Sequence, residues 1–592
     1  MAKSRRSAVT VMWKKKPTLL LTVGTALALM AGGATAWWLL QRTPLSELPT
    51  GADALPQETA MSLSFTSDEG QWRRLRQYGT TDSQASFDRG LATWRDRLFT
   101  ANGIDYQRDI RPWVGEEITV AFLPPPTMDE DASNKVVRPY RTPNTLEFDR
   151  SAVMILPIAD VDRAQRFLSS PNVTAEQEWV DREYKGETIR EVHGQTQLDY
   201  AATLIDNRFL VVSGDAQSIE RVIDTLKGRA SVAQNSDYGR AFSQLRETVT
   251  NPFMRLYVNV PAATEFTSSN PNQPIPPQLL SLLQTNQGIA SAMTLESDGV
   301  RFRGTTWVAP NSRLRLKVQN SAERMPVLLP NQTVLMASGD NLKEFWENYS
   351  EPVPASDVTP STLQRRVWSP DTIRQAFRNF TGLDWDQEVI PWTDGEFALS
   401  LLSAPAPADN AVTTAGVLLL IQASDRKAAD ETFNKLDQVM QERNGWQVQE
   451  AQVEGQPVMT WTSPFASLTV TRGWLDGNIV YVAVGPGVAE AVAPAPDTPL
   501  ATSSLFQSAT ATDLEAASGH FFLAVDQLVN PNISLPLPAL PDSNRQTLSA
   551  IRAIGLTTSV QDNRTTRHDV RVLMPRSDRT VGPLPSVVEK EE

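Results

Sequence analysis

The 592-residue chain contains no cysteine. Disulfides, thiolate nucleophiles, iron–sulfur clusters and cysteine-based zinc sites are therefore excluded, and packing alone must hold the molecule together. Histidine is nearly as scarce, with three copies at His193, His520 and His568. None has a second histidine within one helical turn, so no metal-ligand spacing arises. A Gly-x-Ser-x-Gly elbow is missing. So is a phosphate-cradling loop, since Gly485-Pro486-Gly487 lacks a third glycine and Pro486 removes a backbone donor. Asp129-Glu130-Asp131 lacks the glycine and closing glutamate of a calcium loop. These absences leave no catalytic residue, no metal ligand and no cofactor to assign, and the chain reads as a non-enzyme.

Negative charge outweighs positive beyond the start. The net charge is −13, while residues 1–16 carry six positive charges and no negative one, so the remainder is −13 − 6 = −19. A body that acidic repels phosphate backbones, which excludes nucleic acid as a partner. Hydrophobic residues at 41% and charged residues at 21% indicate a globular chain, and its length exceeds what one core can serve.

Charge is wholly absent between Pro17 and Gln41, a run of 25 residues. As a helix this would measure about 37 Å against a hydrocarbon core of roughly 30 Å. Trp13 and Trp37-Trp38 fall at the two interfaces, and Lys14-Lys15-Lys16 marks the cytoplasmic side. The expected order is a basic cytoplasmic segment (1–16), a transmembrane anchor in the lipid bilayer (17–41), a linker (42–54) and a periplasmic or lumenal body, at a plasma or thylakoid membrane. Ala34-Thr35-Ala36 has the form of a signal-peptidase site, but Trp37, Trp38, Leu39 and Leu40 after it favour an uncleaved anchor. Gly24, Ala28, Gly32 and Ala36 recur every four residues and would permit self-association of the span.

The body repeats itself. Gly103-Ile104-Asp105-Tyr106-Gln107-Arg108-Asp109-Ile110-Arg111-Pro112-Trp113 returns as Gly382-Leu383-Asp384-Trp385-Asp386-Gln387-Glu388-Val389-Ile390-Pro391-Trp392, at a shift of 382 − 103 = 279. Leu55-Pro56 matches Leu329-Pro330 and Trp72 matches Trp346, both at 274. Val153 onwards matches Val417 onwards, Ile205-Asp206-Asn207 matches Leu475-Asp476-Gly477, and Leu256-Tyr257-Val258-Asn259 matches Leu523-Ala524-Val525-Asp526 at 267. Asn270-Pro271-Asn272 likewise answers Asn530-Pro531-Asn532. A shift that drifts in loops is the signature of a repeat, placed at 50–312 and 322–575.

Each repeat alternates strand and helix patterns. Met254, Leu256, Val258 and Val260 have the period of two of a half-buried antiparallel strand, as do Val570, Val572 and Met574. Phe87, Leu91, Trp94 and Leu98 form one helical stripe, and Ile219, Val222, Ile223 and Leu226 another. The expected fold is α+β, a tandem duplication of a mixed antiparallel-sheet-plus-helix domain with helices on one side of each sheet. The polar connection 124–150 and the tail 576–592 read as disordered.

The repeated phrase carries the candidate site: Asp105, Pro112, Trp113, Gly115 and Glu116 in the first copy, and Asp384, Pro391, Trp392, Gly395 and Glu396 in the second. Carboxylates beside an aromatic platform suit sugar hydrolysis. They equally suit scaffold, with Gly103 or Gly382 ending a helix, the aspartate capping the turn and the tryptophan packing beneath it. Two copies favour scaffold, because one active site needs one.

With its basic start, single span and Asp105-Tyr106, Pro112-Trp113-x-Gly115-Glu116 phrase, the chain resembles domain-of-unknown-function family 3352 over about 50–575. The resemblance implies a single-pass, envelope-exposed bacterial protein of two domains, and no activity. The function expected is therefore a non-enzymatic binding or structural role in the cell envelope, with an envelope protein as partner. The alternatives are a carboxylate-dependent hydrolase and a carrier of an apolar ligand.

Overall fold

In the computed structural model the described residues are 48–98, 104–124, 152–169, 179–192, 200–269, 286–310, 312, 314–350, 369–404, 413–464, 468–530, 533–534 and 548–585. Contacts divide the chain into two units, 1–49 and 50–592, and the second is the one described below. The proposed anchor 17–41, with Gly24, Ala28, Gly32 and Ala36, lies outside the described residues, as do Gly103, His193, most of the 124–150 connection and Asn270-Pro271-Asn272. Among the described residues no helix is long and apolar enough to cross a membrane.

The unit is mixed α+β around one large antiparallel sheet. Its first ten strands are β1 (Met61–Thr66), β2 (Glu117–Phe122), β3 (Ala152–Pro157), β4 (Trp179–Tyr184), β5 (Glu187–Val192), β6 (Tyr200–Ile205), β7 (Phe209–Ser213), β8 (Met254–Asn259), β9 (Asn286–Leu295) and β10 (Gly299–Val308). Then follow β11 (Thr333–Gly339), β12 (Phe397–Ala404), β13 (Thr413–Gln422), β14 (Gln447–Val453), β15 (Gln456–Thr462), β16 (Thr469–Leu475), β17 (Ile479–Val484), β18 (Gly519–Ala524), β19 (Ile533–Ser534), β20 (Ala553–Val560) and β21 (Thr565–Leu573).

The first set pairs in the spatial order β4-β5-β6-β7-β3-β2-β1-β8-β9-β10. The second pairs as β14-β15-β16-β17-β13-β12-β11-β18-β20-β21, the same sequence of connections. β10 pairs antiparallel with β21 from Gly299↔Leu573 to Trp307↔Thr565, so the two sets form one continuous sheet with this ladder at its centre. β19 adds a two-residue parallel contact to β13.

The helices used below are α1 (Glu69–Leu75), α2 (Thr81–Leu98), α3 (Val161–Leu168), α4 (Ala216–Leu226), α5 (Ser236–Thr248), α6 (Leu342–Ser350), α7 (Pro370–Thr381), α8 (Arg426–Glu442) and α9 (Ser504–Thr510). Their starts follow from local chemistry. Asp68, Asp160, Asn235, Ser369 and Asp425 each accept a first-turn N–H, satisfying donors that a helix leaves unpaired. Gly382 ends α7 with φ 77°, as its place in the phrase predicts.

Helices cover both faces of the sheet, not one as the alternation suggested. Val153, Met154, Ile155 and Leu156 are buried in succession along β3, the run of a strand covered on both sides. Met154 and Leu156 join Ile110, Trp113 and Ala164 in one layer, while Ile219, Val222 and Ile223 of α4 are sealed in the other. In the second set Ile421 packs with Trp392, Phe433 and Trp461, while Leu418 and Leu420 pack with Met325, Tyr481 and Phe522.

Helix α2 is real but turns the other way. Phe87 is 40% exposed, and the buried stripe is Gln84, Asp88 and Ala92. Asp88 is paired with Arg76 at 2.7 Å, and the Gln84 amide donates to Gln77 and Gly79 carbonyls, so satisfied polar groups outrank the apolar stripe. In the tail, over 576–585, Ser577 N–H donates to Gln77 O at 3.0 Å, and Arg76 and Arg95 donate to the carbonyls of Gly582 and Pro585. These bonds hold the C-terminal stretch on α1 and α2. Residues 586–592 lie outside the described residues.

Candidate functional site

The two phrases occupy equivalent corners of the strand pattern and are built alike. Asp105 caps a one-turn π-helix at Tyr106–Ile110 by accepting Arg108 N–H at 2.9 Å, and its own N–H donates to the Asp109 carboxylate at 2.8 Å. Asp384 caps the turn Trp385–Glu388 by accepting the N–H groups of Asp386 and Gln387. Trp113 is 1% exposed and donates from Nε1 to Asp109 O at 2.6 Å; Trp392 is 2% exposed and donates to Glu388 O at 2.9 Å. Each tryptophan carbonyl then accepts an N–H from the segment entering the next helix, Ala159 in one case and Ser424 in the other. The tryptophan thus locks the turn to the start of α3 or α8.

Pro112 and Pro391 lie on the exposed side of these turns. Gly115 donates to Pro157 O, and a Cβ there would press on the Pro157 ring at 3.0 Å; at Gly395 a Cβ would meet Gln422 O at 2.7 Å. Both glycines exist for close backbone approach.

Most of the acidic groups are engaged. The hydrogen-bonded Arg108 guanidinium holds the Asp109 carboxyl below its usual range. Burial pushes against ionisation of Asp386, but Arg374 and the Trp346 indole, at 2.6 Å each, outweigh it and hold its pKa down. Glu388 pairs with Lys435 at 2.7 Å, and Asp384 with Arg378. Burial raises the pKa of Glu396, which accepts Arg324 N–H at 2.9 Å. Glu116 is exposed, while the adjacent Glu117 accepts Thr50 N–H at 2.8 Å and pairs with Arg255 at 2.7 Å. The two donors differ by 324 − 50 = 274, the displacement already seen at Leu55 and Leu329.

The two phrases are not brought together. Nine inter-strand steps separate β2 from β12, roughly 40 Å along the sheet. Among the described residues no group of three or more histidine, aspartate or glutamate side chains is arranged to hold a metal ion.

What lies between the two sets is a ladder with a buried charge cluster. Arg301 on β10 and Asp569 on β21 are each 5% exposed and joined by two bonds, Nε to Oδ1 at 2.8 Å and Nη2 to Oδ2 at 2.5 Å. Thr512 donates to Asp569 at 2.9 Å, and Asp513 accepts from both Arg301 and Arg303. On the other face of this ladder His568 lies over Gly304, where a Cβ would stand 2.1 Å from its Nε2. Burial pushes His568 down to about 4, against a weaker opposing pull from Asp569, and lowers His520 as well. The sequence gives no sign of this cluster, since its partners stand 268 positions apart. Nearby, a polar cavity of about 320 Å³ is lined by Gln71, Arg74, Asn251, Thr294, Glu296 and Arg303.

No curated protein matches the chain. Two solved crystal forms of a protein titled TP0453 are similar at 9% identity, covering 43% and 44% of this chain and 80% of that one, with a TM-score of 0.21 in both cases. Residues 22–574 match the family described as Protein of unknown function (DUF3352), and the chain belongs to that family.

Proposed function

We propose that this protein is a membrane-tethered, extracytoplasmic scaffold of two tandemly duplicated domains with a non-enzymatic binding or structural role in the envelope. The observation that carries the non-enzymatic part is the double use of the acidic phrase. In each copy the aspartate caps a turn and the indole is buried beneath it, and Asp109, Glu117, Asp386, Glu388 and Glu396 are bound to arginine, lysine or backbone N–H. A hydrolase needs two carboxylates facing one pocket, and these face their own turns. The matching order of strand pairing on either side of β10 and β21 supports the duplication, and the uncharged run 17–41 supports the tether.

The test is protease access in oriented membrane vesicles carrying the full chain. The reading expects carbonate-resistant membrane association, with the body digested only from the extracytoplasmic side. A body released by carbonate, or digested from the cytoplasmic side, would contradict it.

One observation favours the apolar-carrier reading as a second choice. Leu399 on β12 is 47% exposed and Phe345 on α6 is 53% exposed, with Phe397 packed against the latter at 5.6 Å. Quenching of an apolar dye by a Leu399→Asp variant, compared with the natural chain, distinguishes a carrier surface from a bare one.

A further inference from the structure

A continuous sheet has two ends, and here they differ. Among the described residues β4 pairs only with β5, and three of its six residues are charged (Asp181, Arg182, Glu183). Arg182 is paired to Glu191 and Glu220, and Asp181 to Arg190, so this edge carries the charges that discourage a further strand. β14 pairs only with β15 among the described residues, in unbroken register from Gln447↔Thr462 to Val453↔Gln456. It holds no proline, no lysine, no bulge and one charge, Glu450, with Gln447, Gln449, Glu450 and Gln452 exposed. Its outer row of N–H and C=O groups is therefore an unblocked template.

Beside the start of this strand sits an apolar anchor. Phe380 is 48% exposed and meets Trp446 edge to face at 6.3 Å. Asn444 and Arg443 donate to the carbonyls of Phe380 and Asn379, which fixes the ring against the edge. From Gln447 to Thr462 the only charged residues are Glu450 and Glu454.

We propose that β14 is a docking edge that accepts an extended, basic segment of another polypeptide as one more antiparallel strand, with an apolar residue of that segment seated on Phe380. Backbone pairing supplies the affinity, and the two glutamates with the aromatic anchor supply the choice of partner. A second copy fits less well, because pairing β14 with itself sets Glu450 of one edge against Glu450 of the other. This assigns a surface to the binding role proposed above but does not depend on the tether.

The probe is a fluorescein-labelled nine-residue peptide of alternating lysine and valine led by leucine, titrated into the full chain in detergent, with hydrogen exchange followed in parallel. Saturable binding with at least tenfold slowing of β14 amide exchange is expected. The Gln449→Lys/Gln452→Lys variant, altered only at exposed positions, should bind at least tenfold more weakly, as should a glutamate–valine peptide on the natural chain. Unchanged β14 exchange at saturating peptide, or equal binding by the variant, overturns the proposal. So does concentration-dependent protection of β14 without peptide, which would give the edge to a second copy. None of these results bears on membrane association, so this proposal and the tether fail separately.

Discussion

Replacing Asp569 with alanine is expected to destabilise the body by about 3–5 kcal/mol, the usual cost of stripping one partner from a buried ion pair. Arg301 and Asp569 are both 5% exposed, and the pair is bidentate, so removal of the carboxylate leaves a guanidinium with little access to water at the centre of the sheet. The bond that Arg301 donates to Asp513 survives, but the Asp513 side chain is 65% exposed and its attraction is screened by solvent. The Thr512 hydroxyl also loses its acceptor. An Arg301→Met/Asp569→Leu double variant removes both charges and is expected to stay within about 2 kcal/mol of the natural protein. Urea denaturation at pH 7, followed by circular dichroism and tryptophan fluorescence, measures both. The reasoning is refuted if Asp569→Ala costs less than about 1 kcal/mol, or if the double variant loses the sum of its two single changes.

His568 gives a pH test. Its folded pKa of about 4 lies below the ordinary 6.5, so on acidification the unfolded chain takes up a proton first, and stability present above pH 6.5 is lost progressively down to about pH 4. The full shift of 6.5 − 4 = 2.5 pH units corresponds to about 3 kcal/mol, and the ring's intermediate exposure trims this to roughly 2–3 kcal/mol. Denaturation of His568→Leu and the natural chain at pH 7 and 4.5 should show that part of the acid loss missing from the variant; equal losses would contradict it. Trp113→Ala and Trp392→Ala should each cost about 3–5 kcal/mol in the same assay, as expected for buried indoles, and a loss under 1 kcal/mol at either would remove that tryptophan from the scaffold. Gly304→Val should destabilise by displacing the His568 ring, and a crystal structure of the variant with that ring unmoved would count against the packing described.

The repeated phrase was legible because its work is local: a cap, a turn and an indole bonded to a carbonyl four residues back all lie within a dozen positions. Pairing register was harder to read. The strands β8 and β18 match at 523 − 258 = 265 by their partners Met61 and Leu335, not at 267, because a slip of two keeps every apolar side chain on its own face. Burial on both faces could have been inferred from the unbroken apolar run of β3. The Arg301–Asp569 seam could not, since in sequence β10 and β21 are two ordinary hairpin strands, and only the assembled sheet makes them neighbours.

Asp105 and Asp384 act as turn caps. Asparagine caps a helix as well as aspartate does, whereas alanine does not. Unfolding of Asp105→Ala/Asp384→Ala should therefore show a loss of about 2 kcal/mol, the sum of two distant caps, while Asp105→Asn/Asp384→Asn stays within about 0.5 kcal/mol of the natural chain. An alanine pair as stable as the natural protein would contradict the scaffold account and return these carboxylates to the search for a binding or catalytic role.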